Sequence, residues 1–142
     1  MITVAEMFEL LLTACPGALP AWNEHCREWA DEKGDMSYLG VAVFAHHLVD
    51  SVRAGHVDEL PPAFDVIERL VTEGNEKVRE LTTIGLLEDL QNIASWEPSG
   101  NRIFRPYLGP ASLLAWEEIQ EMWRGKSSLM DVIRAEGEAK KK

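Results

Sequence analysis

The chain has 142 residues, 46% hydrophobic and 27% charged, enough apolar material for one cored domain and too much for wholesale disorder. No run approaches the length of a membrane span. A formal net charge of -10 repels nucleic acid and anionic membrane, and it permits a basic protein partner.

The charge is uneven. Residues 1–73 hold 13 acids against 4 bases, giving -9, and residues 74–142 hold 11 against 10, giving -1. The opening "MITVAEMFELLLTACPG" lacks a basic leader and carries Glu6 and Glu9 inside its apolar run, so it does not read as a signal peptide. Two cysteines, Cys15 and Cys26, do not make a disulfide framework and read as reduced thiols of a cytoplasmic protein.

Proline and glycine cut the chain into helix-length pieces, and nothing alternates with period two over a strand length. A first helix is predicted over Ala5–Cys15, with Thr3 and Glu6 at capping-box spacing and Val4, Phe8, Leu11, Leu12 and Cys15 on its buried face. The second, over Pro20–Lys33, is the most amphipathic. Leu19, Trp22, Cys26, Trp29 and Ala30 share one side, and Glu24, Glu28, Asp31 and Glu32 share the other.

The third, Ser37–Ala54, is apolar around more than half its girth and reads as central. Val41, Phe44, Ala45, Leu48, Val49 and Val52 point inward, and His46, Asp50 and Arg53 form a narrow polar strip. The fourth, Pro61–Glu73, has Asp58 nearby as a cap and proline in its first turn. Phe64, Ile67, Leu70 and Val71 face in; Asp65, Glu68 and Arg69 face out.

The fifth helix lies in "EGNEKVRELTTIGLLEDLQN", with Asn75 as N-cap and Glu76 at the positive end of the helix dipole. Leu86, Leu87, Leu90, Ile93 and Ala94 make its main buried face, and Leu81 and Ile84 a second one. Such a helix is packed on two sides. Gly85 in its middle implies close approach of another backbone. Phe104–Leu108 reads as a short turn. A last helix runs from Pro110 to Arg124, with Ala115, Trp116, Ile119, Met122 and Trp123 inward and Glu117, Glu118 and Glu121 outward. The expected organisation is an all-α domain of six antiparallel helices over residues 5–125. Residues 126–142 are expected to be a short helix or a polar tail. The fourth and fifth helices resemble one HEAT or armadillo pair, with no second copy.

Chemistry-bearing residues are few. Glu24, Glu28, Asp31 and Glu32, with Asp35, form an acidic face suited to a basic partner. An alternative polar site, for a small enzyme or metal protein, comprises His46, Asp50 and Glu88. His46 and His47 diverge by about 100° on a helix, and no spacing is a zinc signature, so no metal is expected. Phosphate loops and CxxC motifs are absent, so no cofactor is expected. His25 and Cys26 are adjacent, a poor arrangement for a Cys–His pair. Glu88, between Leu81 and Ile84, is expected to be half-buried with a partner Arg or Lys. Gln91 and Asn92 are expected to bond loop backbone. Trp22 and Trp29, and Trp116 and Trp123, are seven apart and stack along helix faces as core, with an aromatic contact surface as the lesser reading.

Three stretches carry a resemblance: "FELLLTACPG", "EGNEKVRELTTIGLLEDLQN" and "FRPYLGPASLLAWEEIQEMW". Over Glu6–Trp123 the chain resembles an uncharacterised family of small all-helical bacterial proteins. The resemblance implies no assigned activity and supplies no catalytic residues. Some members resemble immunity proteins of bacterial toxin systems, which implies a neutraliser of a basic partner.

Overall fold

The computed structural model describes residues 1–95 and 100–124, which form a single all-helical domain. The tail expected over 126–142 lies outside the described residues. Helix α1 (Val4–Ala14) starts on the expected capping box: Glu6 N donates to Thr3 Oγ1, and Thr3 N donates to Glu6 Oε1. Only Met7 and Leu11 are fully buried in it. Leucine 12 and Phe8 pack partly against the core.

A 3₁₀ turn (Pro16–Ala18) bends the chain through 105° into α2 (Leu19–Glu28). This helix ends five residues before the expected Lys33. Trp29 N makes the last α-type bond, to His25 O, and Glu32 N then turns back to Trp29 O. Continued helix would have set Glu28, Asp31 and Glu32 as like charges one turn apart at the negative end of the dipole, which disfavours it. None of its ten residues is fully buried.

Helix α3 (Ser37–Arg53) is the predicted central rod, burying Gly40, Val41, Phe44, Ala45, Leu48 and Val49. It packs on α2 and the corner turn, and on the chain from Leu81 to Ala94. Helix α4 (Leu60–Glu73) has proline in its first turn as expected. Its N-cap is Glu59, not Asp58.

After Gly74, Asn75 caps α5 (Glu76–Glu80) through its side chain, as predicted. The rod continues through a π-helical stretch (Leu81–Leu87) into α6 (Glu88–Ala94). The wider turn explains the two apolar flanks, because an inserted residue shifts the buried face around the helix. Leu81, Thr82, Gly85, Leu86 and Leu87 are buried, but Ile84, expected inside, is 56% exposed. At Gly85 a Cβ would lie 3.0 Å from Val41 Cγ2 and 3.4 Å from Tyr38 Cδ1. The close neighbours are thus side chains of α3, not a backbone. Residue Ile2 adds a parallel bridge to Gly74, with Ile2 N bonding Glu73 O and Asn75 N bonding Ile2 O.

The expected short turn at Phe104–Leu108 belongs to a longer 3₁₀ helix (Gly100–Tyr107). Phe104 and Tyr107 lie 5.8 and 5.9 Å from Phe64 of α4. Helix α7 covers residues 110–124. Trp116 and Ile119 are buried as expected, but Met122 and Trp123 are 42% and 37% exposed.

Glu68, predicted to face solvent, instead caps α7 from 43 residues away. Ala111 N donates to its Oε2 at 2.9 Å and Ser112 N to its Oε1 at 2.7 Å. Pro110 has no N–H to offer, so one carboxylate meets the next two orphan donors at the positive end of the dipole. A Cβ on Gly109 would strike the same carboxyl at 2.5 Å. Gln91 also ties to this helix rather than to a loop: its Nε2 donates to Trp116 O at 3.0 Å.

Loss of the cap should cost about 1–2 kcal/mol, lowering the thermal midpoint by a few degrees, about 3–8 °C. Glu68→Ala and Gly109→Ala should each do this, and the double variant should show much less than the summed loss, because both remove the same two bonds. Additive losses in thermal unfolding would contradict the cap.

Candidate functional site

The apolar side of α2 faces Phe8 of α1 and Phe44 of α3. The Trp22 ring stacks on Phe8 at 4.7 Å and lies 5.5 Å from Phe44 and 5.4 Å from His25. Beneath them Gly40 supplies room: a Cβ there would sit 3.0 Å from Phe8 Cζ and 3.3 Å from Trp22 Cζ3. The rings settle onto the α3 backbone, and an open groove of about 300 Å³ remains beside them. Phe8, Trp22, His25, Cys26, Trp29, Met36 and Ser37 line it. The Trp22–Trp29 spacing therefore marks a groove wall, neither rings being fully buried.

The predicted acidic residues border this element. Glu24 and Glu28 are exposed on α2, and Asp31 and Glu32 are exposed in the chain that follows it. Glu24 pairs with Arg27 at 3.1 Å, with both side chains well solvated, so the pair is worth little. Asp35 differs. It accepts from Ser37 N at 3.0 Å at the start of α3 and lies 3.4 Å from Lys77 Nζ. The Ser37 hydrogen bonds hold its carboxyl below the ordinary carboxylate range. Lys77 also lies over the Tyr38 ring at 4.9 Å. Asp35 thus fixes the end of the α2–α3 connection.

The alternative site is only partly assembled. Asp50 pairs with Arg53 at 3.3 Å on the exposed side of α3. His46, exposed on α3, instead acts electrostatically on Asp89 of α6, a residue missed from the sequence. Burial first, then the charge of Glu88, pushes the Asp89 carboxyl up to about 6, and His46 opposes this. Glu88 is half-buried as expected, but no Arg or Lys bonds it among the described residues. Among those residues no three His, Cys, Asp or Glu side chains are grouped to hold a metal ion.

A second polar cluster was also missed. His47 Nε2 donates to Glu59 Oε1 at 2.5 Å, and Gly17 N donates to Glu59 Oε2 at 3.0 Å. Burial opposes charge on Glu59, yet the His47 ring and the Gly17 N–H together hold its carboxyl below the ordinary range. The buried Cys15 thiol is pushed up to about 12, by burial and then by Glu59. Gly17, His47, Ser51, His56, Asp58 and Glu59 line a pocket of about 290 Å³ there. Nothing local in the sequence signals a pair twelve residues apart.

An all-helical domain with an open aromatic groove, and no grouped metal ligands among its described residues, is the class that this geometry defines. The chain belongs to the DUF7674 family, a domain of unknown function, matched over residues 8–124. Neither the curated proteins nor the solved structures contain a match to it.

The raised Asp89 carboxyl has a stability consequence. A carboxyl whose folded value lies above its unfolded one favours folding at pH below about 3.8, and that contribution is lost as pH rises through about 6. Asp89→Asn should therefore raise the denaturation midpoint at pH 7, with the gain shrinking towards pH 4. A gain independent of pH in chemical unfolding would contradict the assignment.

Proposed function

We propose that this domain is a non-enzymatic binding module whose partner is a basic protein, received on α2 and the chain just after it. One observation carries the reading: α2 buries none of its ten residues completely, and its aromatic side borders an open groove. A helix kept at the surface with two half-covered indoles, Trp22 within it and Trp29 at its C-cap, is suited to gaining burial from a partner. Glu24, Glu28, Asp31 and Glu32 beside it supply the charge that steers a basic surface into contact. Asp35 acts by fixing the start of α3 instead.

Neutralisation of a basic toxin is the specific form of this role that the family resemblance favours. The same charge disfavours nucleic acid and anionic membrane as partners. No single helix among the described residues is long and apolar enough to cross a membrane. The unpaired thiols Cys15 and Cys26 suit a reducing compartment, which we take to be the cytoplasm.

A second reading draws on Asp89. A carboxyl pushed up to about 6 beside Glu88 and His46 has the profile of a proton-transfer group in a small enzyme. The α2 reading is preferred because groove and charge coincide there.

Charge reversal separates the two. Tagged protein in lysate of its source organism should retain a basic protein at low salt and release it at high salt. The triple variant Glu28→Lys, Asp31→Lys, Glu32→Lys should lose it, with association slowed about tenfold or more. Reversal of three exposed acids elsewhere, Asp65, Glu76 and Glu118, should leave it bound. Equal loss from both triple variants, or from neither, would sink the α2 assignment.

A further inference from the structure

The acidic border explains how a basic partner arrives, not what holds it. Exposed charges are screened beyond about 8 Å at physiological salt, so lasting contact needs desolvated area. The groove supplies it. Its walls are two indoles, a phenyl ring, a thioether, a thiol and an imidazole, with one serine, and no carboxylate lines it. An apolar centre with a charged border is the usual anatomy of a protein interface, and tryptophan is among the residues that dominate binding energy there.

We propose that the groove receives an apolar anchor, a Leu, Met or Phe side chain of the basic partner flanked by Lys or Arg. This rests on the reading of the α2 face as a docking surface and names what that surface recognises. The size fits. About 300 Å³ is the low end for small-ligand pockets, room for one or two side chains rather than a cofactor. Gly40 lets the rings sit close to α3: a Cβ there would lie 3.0 Å from Phe8 Cζ and 3.3 Å from Trp22 Cζ3, so both rings would have to give by a few tenths of an ångström. A second copy of this chain is a poor occupant, since each copy has a net charge of -10 and would bring the same acidic border against this one.

The chain carries its own chemical handle for the test. Cys26 is exposed and lines the groove, whereas Cys15 is buried and its thiol is pushed up to about 12. N-ethylmaleimide applied to the folded protein should therefore modify Cys26 alone and plug the groove after folding is complete.

The probes are two short lysine-rich peptides of equal charge, one with a central Leu–Phe pair and one with serine at both places. Binding kinetics would be followed by indole fluorescence. The Leu–Phe peptide should bind on the order of tenfold tighter than the serine peptide, with the difference in dissociation rate. Alkylation of Cys26 should erase that ratio and leave association rate and salt dependence unchanged. Trp29→Ala, which removes a groove wall without touching the stacked rings, should reduce the ratio too.

The Glu28→Lys, Asp31→Lys, Glu32→Lys variant should slow association of both peptides and keep the ratio. Equal affinity for the two peptides, or a ratio that survives alkylation, would overturn the anchor. Cys26 alkylation that slows as protein concentration rises would also overturn it, because the groove would then be covered by a second copy. If association of both peptides were indifferent to salt and to charge reversal while the ratio persisted, the anchor would stand and the basic-partner reading would fall.

Discussion

Glu59 ends the loop before α4 and divides its carboxylate between two distant elements. One oxygen accepts a hydrogen bond from His47 Nε2 on α3, and the other accepts one from the backbone N–H of Gly17 at the corner between α1 and α2. Two helices and a turn thereby meet at one charge. The consequence is greatest for α2. With no residue completely buried, it cannot be fixed by its own burial. It is held at one end by this corner, along its length by the Trp22 stack on Phe8, and beyond its far end by Asp35 with Ser37 and Lys77. A surface helix positioned from its ends can leave its apolar side incompletely covered, which is what a docking surface requires. Because the Glu59 carboxyl is held below its ordinary range, this support is complete above that range and weakens as pH falls through the folded value.

The rest of the molecule supplies the rigid platform. Helix α3 runs through the centre, and the π turn brings Gly85 so close that a Cβ there would press on Val41 at 3.0 Å and touch Tyr38 at 3.4 Å. Phe64, Phe104 and Trp116 fill the other end of the core, and Glu68 fastens α7 to α4. Phe64, Phe104, Trp116 and the Glu68 cap thus belong to elements other than α3 and the corner turn, on which α2 packs. The groove is a local shortfall of packing on a well-packed body, not a sign of a loose fold.

What could be read from the sequence follows from the range of each signal. Thr3 with Glu6, Asn75 before α5, and Pro61 in the first turn of α4 are local devices, and they appear where their spacing places them. The buried face of α3 is also legible, since one helix period over Val41–Val49 suffices. Glu68 and Glu59 were not legible: an acid on an outward face or just before a helix looks solvent-facing until partners 12 to 44 residues away arrive. Ile84 was misplaced because a π turn breaks the period on which face assignment depends. Met122 and Trp123 were assigned inward by the same period, which carries no information about where a neighbour ends. For the candidate site, the acidic run and the Trp22–Trp29 spacing were visible. The openness of the groove was not, because it depends on Gly40 and on the early end of α2.

The central claim is that the α2 face is where another protein sits. It is tested most directly by contact mapping inside source cells, with a photo-crosslinking side chain in place of Glu28 and, separately, in place of Glu118 on α7. The account predicts one dominant adduct from position 28, with a basic protein, and none of that product from position 118. Equal adducts from both positions, or an adduct from position 118 alone, would contradict it.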